Sequence, residues 1–287
     1  MVLKVQGISS SEGKGSNWKE RKRLLVSKLQ KLANDIVTDP DKLKAFAERW
    51  RQGFRHYSLY NLMLIWCQNP TATLCAGYRQ WNKHGRYVQA GEKALWILAP
   101  AIVPVKGQED KPEEEQEKCI RYFFPVPVFD YSQTAGQELL IGNTQVSGNG
   151  NVDILAIAKA FNLPVEYSQG LDDGHTDGKK IVISKRESKA QETACFFHEL
   201  AHVLLKHLDE KKNVSRDIAE LEAEATAFLV CSCLGIDNEG SKFYLGNWQG
   251  NRDKLGKSAL KILSCSEKIL RKAKPEAFEE RLQVQNN

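Results

Sequence analysis

Residues 187–208 read ESKAQETACFFHELAHVLLKHL, and the pentapeptide His198-Glu199-Leu200-Ala201-His202 within them constrains the chain more than any other feature. Side chains at i and i+4 share a face only on an α-helix, so two imidazoles at this spacing meet one ion only if the segment is helical. Ala194, Cys195, Phe196, Phe197, Leu200, Ala201, Val203, Leu204 and Leu205 make that helix apolar nearly all round, which marks it as a core element. Two histidines and a glutamate buried there are costly without partners, and a metal supplies them. Zinc held by a few protein ligands keeps an open position, and its water becomes acidic enough to supply hydroxide near neutral pH. Glu199 stands one residue after the first histidine, where it can take that water's proton and pass it to a leaving amine. The competing reading is an amphipathic helix with ordinary core histidines.

A third ligand has to come from downstream. His207 lies five residues after His202, off the ligand face of a continuous helix, and is expected to point to solvent. The run Ala219-Glu220-Leu221-Glu222-Ala223-Glu224-Ala225-Thr226-Ala227 is the better source. Glu220 and Glu224 are i and i+4, and the alanines let their helix approach the first closely. One carboxylate can bind the metal while the other accepts a hydrogen bond from a ligand histidine. Glu220 is preferred as ligand, following the pattern of thermolysin-like zincins, with Glu224 as the alternative. Glu222 points elsewhere and is expected to be a solvated charge.

Around this helix the chain reads as an α+β protein of two domains, its 287 residues being long for a single one. Residues 1–16 are polar and Gly/Ser-rich, a flexible tail. Helical spacing runs from Asn17 to Ile36, from Pro40 to Phe54 and from Ser58 to Gln68. Short strands are expected at Ala76 to Trp81, Tyr87 to Gln89 and Ala94 to Leu98. Residues 106–118 are a charged loop, and a strand over Ile120 to Asp130 carries Pro125 and Pro127, which favour an edge. The Gly-rich stretch 134–150 is the linker. Beyond it we expect a helix from Val152 to Phe161, strands at Val165 to Ser168 and Lys180 to Ser184, and helices over Glu187 to Leu208, Arg216 to Leu234 and Asp253 to Lys272.

Composition narrows the partners. No apolar run reaches the roughly 18 residues that span a bilayer, and residues 1–18 hold no apolar signal region, so neither a membrane nor a secreted role is expected. The seven cysteines form no CxxC pair and sit among apolar neighbours, as reduced thiols in a cytoplasmic protein. The net charge of +5 is uneven: residues 1–104 carry 17 Lys and Arg against 7 Asp and Glu, the remainder 24 against 29. Only the first half therefore suits a polyanion. There cations alternate with aromatics, notably Tyr78, Arg79, Trp81, Lys83, Arg86, Tyr87 and Lys93. Cations neutralise phosphates while aromatic faces stack bases, the combination that single-stranded DNA requires. Trp50, Phe54 and Trp66 are assigned to the core.

Taken together these features resemble the ArdC-type antirestriction proteins of plasmids and mobile elements and their chromosomal relatives. The resemblance is carried by Tyr57-Ser58-Leu59-Tyr60-Asn61-Leu62, by Trp81 followed by Gly85-Arg86-Tyr87-Val88-Gln89-Ala90-Gly91-Glu92-Lys93-Ala94, and by Val128-Phe129-Asp130-Tyr131-Ser132-Gln133-Thr134. In the second half, Ala223-Glu224 and Leu234-Gly235-Ile236 are similar to the family's glutamate-bearing helix, while the HELAH helix is closer to ImmA/IrrE-like metallopeptidases. The resemblance implies a helices-plus-small-sheet, single-stranded DNA-binding domain over 17–133. It further implies a mostly helical, zincin-like metallopeptidase domain with a short sheet over 151–287. The expected activity is a DNA-tethered, gluzincin-like peptidase acting on a DNA-associated protein, with one Zn2+ or another divalent metal per chain. The alternative is a non-catalytic single-strand-binding protein with a structural or vestigial metal site.

Overall fold

The computed structural model describes residues 17–54, 57–105, 118–138, 152–169, 174–185, 188–209, 214–236 and 252–275. The expected tail, the loop up to residue 117 and the linker from residue 139 lie outside the described residues. The architecture is α+β in two compact units, one built from residues 17–29 and 63–138, the other from 30–62 and 152–275. Residues 30–62 thus pack within the second unit although they precede the first unit's sheet in the chain.

The N-terminal helices follow the expected periodicity. α1 (Asn17–Val37) buries Leu25, Leu29, Ala33 and Ile36 on one stripe. α2 (Pro40–Arg49) starts where Asp39 accepts hydrogen bonds from the backbone N–H groups of Asp41 and Lys42, with Pro40 at the first helical position. It buries Leu43, Phe46 and Ala47 and continues as a π-helical turn, Trp50–Phe54, in which Trp50 and Phe54 are core. α3 (Leu59–Gln68) is apolar and buries Leu59 and Leu62 through Ile65.

In the first unit β1 (Cys75–Ala76) is followed by α4 (Tyr78–Lys83), β2 (Arg86–Val88), β3 (Leu95–Pro104), β4 (Lys118–Asp130) and, after a 3-10 turn at Tyr131–Gln133, β5 (Thr134–Gly136). Where a strand over 76–81 is expected there is a two-residue strand and a short helix. In that short helix Trp81 is buried in the core and Tyr78 is exposed. β4 lies between β1 and β3, antiparallel to both, but β1 covers only Phe129 and Asp130. Pro125 and Pro127 therefore pair with β3 on one side and face no described strand on the other, which suits residues without an N–H. β2 pairs with β5, and at Gly136, with φ +122, a Cβ would strike the carbonyl of Gly85.

The second unit adds α5 (Ile154–Ala160), β6 (Val165–Ser168), β7 (Gly174–Thr176), β8 (Ile181–Ser184), α6 (Lys189–Leu205), α7 (Arg216–Leu234) and α8 (Arg252–Ala273). β7 falls between two expected strands, where no strand is expected. β8 is central, parallel to β6 and antiparallel to β7, and all four of its residues are buried. α6 lies on β7 and β8 and packs on α7, whose Ala219, Ala223 and Ala227 are buried. α7 packs in turn on α2 and α8. No described helix is long and apolar enough to cross a membrane, and all seven cysteines are free thiols.

Candidate metal centre and nucleic-acid surface

Helical winding of α6 and α7 brings the expected donors together. His198 Nε2 and His202 Nε2 stand 3.0 Å apart, and Glu220 Oε2 lies 3.3 Å from the first and 3.6 Å from the second. Donors bound tetrahedrally at about 2.0–2.1 Å from one ion are about 3.4 Å apart, so this donor set fits a divalent metal. The two glutamates divide by ring nitrogen. Glu220 faces the Nε2 atoms, whereas Glu224 Oε2 lies 3.2 Å from His198 Nδ1, on the far side of that ring. The site can hold a divalent metal on His198, His202 and Glu220.

The electrostatics describe a centre built around one positive charge. Burial opposes charge on His198, yet the hydrogen bonds it donates to Glu220 and Glu224 raise its pKa to about 9. Burial and the neighbouring His198 charge drive His202 down to about 4, against the pull of Glu220. Glu199 is 9% exposed, and burial raises its pKa above the ordinary carboxylate value while His198 pulls it back. Gly174 of β7 approaches α6 so closely that a Cβ there would collide with Cys195 Sγ and come within 3.6 Å of Glu199 Cγ. His175 beside it lowers the Glu199 pKa through its charge.

Two sequence expectations are corrected here. His207 does not point to solvent, and Glu222 is not a solvated charge: each side chain is 2% exposed. α6 ends one turn earlier than expected, at Lys206, which adopts left-handed φ and ψ of 60° and 46°. The His207 N–H then donates to the His202 carbonyl at 3.0 Å, folding His207 back under the helix. Its Nδ1 comes to 3.0 Å from His202 Nδ1 and its Nε2 to 2.9 Å from Glu222 Oε2. The other Glu222 oxygen accepts from Ser258 Oγ of α8. A glycine at position 206 would have signalled this turn; a lysine does not.

The candidate nucleic-acid residues separate into two groups. Tyr78 and Tyr87 are 53% and 57% exposed, and Arg79, Lys83 and Lys93 are exposed as well. Trp81 and Arg86 are not available to DNA, being 1% and 6% exposed. Trp81 Nε1 donates to the Phe129 carbonyl at 3.0 Å. The Arg86 guanidinium donates to Thr134 Oγ1 at 2.8 Å and to the carbonyls of Gln137 at 2.5 Å and Thr134 at 2.9 Å, and stacks 4.0 Å over the Tyr131 ring. Both are framework residues. A second exposed cluster escaped the sequence reading because it joins distant segments: Trp18 of α1 lies 6.2 Å from Tyr122 of β4, with Lys22 6.0 Å over the Tyr122 ring.

Fold and site together define a two-domain α+β protein whose second, mostly helical unit carries a His/Glu constellation able to hold a metal. Residues 19–129 match the N-terminal domain of anti-restriction factor ArdC, and residues 152–240 match the IrrE N-terminal-like domain. The chain belongs to the ArdC-type antirestriction family, with an ArdC-like N-terminal domain of the DNA-binding kind and an IrrE-like, peptidase-type second domain. An uncharacterized protein of Bacillus anthracis is 26% identical over 81% of this chain, which spans about half (47%) of that relative. The crystal structure of antirestriction ArdC from plasmid R388 in its Mn(II)-bound form shares the fold at a TM-score of 0.50 and 18% identity, covering 88% of this chain and 98% of that one. Its metal-free form gives 0.47 at the same identity, over 86% and 98%.

Proposed function

We propose that the chain is a zinc-dependent, gluzincin-like metallopeptidase of the antirestriction type, cytoplasmic and recruited to single-stranded DNA, which hydrolyses a DNA-associated protein. The observation that carries this reading is the convergence of His198, His202 and Glu220 beside a buried Glu199 whose pKa is raised. A divalent ion held there acidifies water and polarises a peptide carbonyl; the Mn(II) form of the R388 protein makes manganese the alternative to zinc.

The chain's own residues supply the rest. Glu220 is the third ligand, and Glu224 holds the His198 ring through Nδ1. Glu199 takes a proton from the attacking water and delivers it to the leaving amine, and a carboxyl raised by burial is suited to both steps near neutral pH. β7 pairs with β8 on one side only among the described residues, and Gly174 sets it close to Glu199. An extended substrate segment can add to that edge by main-chain hydrogen bonds. In the 17–133 domain, Tyr78, Arg79, Lys83, Tyr87 and Lys93 supply exposed stacking and phosphate-neutralising groups.

Glu199→Gln separates this reading from a non-catalytic DNA-protecting role. The variant is expected to keep wild-type metal content and oligonucleotide affinity while cleavage of denatured casein, assayed with and without single-stranded DNA, falls at least about 100-fold. Cleavage at the wild-type rate by Glu199→Gln, or none by wild type under any condition, would favour the binding role.

A further inference from the structure

We infer that His207, Glu222 and Ser258 form a hydrogen-bonded relay that fixes the tautomer of His202, so that its Nε2 presents a lone pair to the metal. The inference rests on the metal-site reading above and assigns three positioning residues beyond it.

The carboxylate of Glu222, with Lys261 Nζ 3.6 Å from its Oε1, can only accept. Its two oxygens are taken by Ser258 Oγ and His207 Nε2. The proton between His207 and Glu222 is therefore on His207 Nε2, and a neutral imidazole protonated there has a bare Nδ1. That atom lies 3.0 Å from His202 Nδ1, and two bare nitrogens do not attract at this distance, so His202 Nδ1 carries the proton and donates. His202 Nε2 is then bare, 3.0 Å from His198 Nε2 and 3.6 Å from Glu220 Oε2, at the point where the donors converge.

The geometry shows why the relay needs all of its parts. The left-handed turn at Lys206 brings His207 back under His202. Ser258, on α8, donates to the Glu222 oxygen that His207 leaves free, where Lys261 Nζ also stands at 3.6 Å. Glu224 performs the same orientation for His198 from the opposite side. Each ligand imidazole is thus oriented through its Nδ1, one by a carboxylate directly and one by a carboxylate acting through a second imidazole.

The test uses the full-length chain with 15N-labelled histidine, read by long-range 1H–15N correlation in metal-free protein, followed by Zn(II) titration against a chromophoric chelator. In wild type, His202 is expected as the Nδ1–H tautomer. His207→Leu removes the acceptor, so His202 should gain Nε2–H tautomer and Zn(II) affinity should fall roughly 10–100-fold. His207→Gln, whose carboxamide can accept from His202 and donate to Glu222, should restore the tautomer and most of the affinity. Ser258→Ala leaves the imidazoles in place and should give a smaller loss, which keeps the test open should His207→Leu fail to fold. An unchanged His202 tautomer in His207→Leu would overturn the relay, as would equal affinity losses in the Leu and Gln variants. A wild-type chain that binds no Zn(II) would overturn the metal site alone, because the tautomer comparison needs no metal.

Discussion

The first unit and the metal centre of the second treat buried charge in opposite ways. In the first, Asp130 is 1% exposed and its carboxylate accepts from the backbone N–H groups of Thr73, Leu74 and Ser132 and from Ser132 Oγ. Arg86 is likewise saturated, by three oxygens and an aromatic face. In the second, His198, His202 and Glu220 converge on one another, their donor atoms within 3.0–3.6 Å. A buried charge satisfied by its own chain is framework; a cluster whose lone pairs meet at one point is built for something brought from outside. The same contrast explains the motifs of the first unit. Arg86 bonds Thr134, and the Gln133 amide donates to Glu92 Oε2 and the Lys93 carbonyl, each at 2.8 Å. The two longest stretches of family resemblance therefore meet and hold each other.

The contrast breaks if both clusters behave alike when depleted. The largest effect is expected from the double variant His198→Ala/His202→Ala, which should reduce bound divalent metal from about one per chain to none, by elemental analysis of protein purified without chelators. Thermal unfolding of the metal-free double variant should match that of metal-free wild type or exceed it, since two costly buried imidazoles are gone. Retained metal would place the site elsewhere; a collapsed fold would make the cluster framework after all.

Next in size is Arg86→Ala. It leaves a hydroxyl and two carbonyls without their donor in a buried site, at a cost of about 3 kcal/mol in folding stability. Denaturant unfolding should show this loss with metal content unchanged. Stability within error of wild type, together with weakened DNA binding, would return Arg86 to the phosphate-contacting set.

How far each region could be read from the sequence follows the range of its interactions. His198, Glu199 and His202 are legible because helical periodicity alone aligns them, and the i, i+4 pair Glu220 and Glu224 is legible for the same reason. Which glutamate faces Nε2 and which Nδ1 depends on how α6 and α7 pack, and no local pattern states it. His207 and Glu222 were misread through one unsignalled left-handed lysine and a helix face that α8 covers. In the first unit, alternating aromatics and cations mark a segment for DNA without telling which side chains build the core. Trp81 and Arg86 went inside because their partners, Phe129, Thr134 and Gln137, come from some fifty residues further on. β7 has three residues, too short for any periodicity.

The smallest effects belong to the exposed surface, where single contacts are worth least and the comparison can be sharpened. Tyr87→Ala removes a stacking face at no cost to the core and should weaken single-strand binding by about 1–3 kcal/mol at every salt concentration. Arg79→Ala, Lys83→Ala and Lys93→Ala should instead act through salt, each flattening the slope of log K against log salt by roughly 0.7 for a lost phosphate contact on a single strand. Trp18→Ala and Tyr122→Ala probe the second exposed cluster in the same assay, fluorescence anisotropy with a labelled oligonucleotide over a salt series. If they weaken binding and Tyr87→Ala does not, the strand runs over α1 and β4 and not over α4 and β2. Tighter binding to duplex than to single strand would remove both faces from consideration, because stacking on exposed aromatics requires bases already free of their partners.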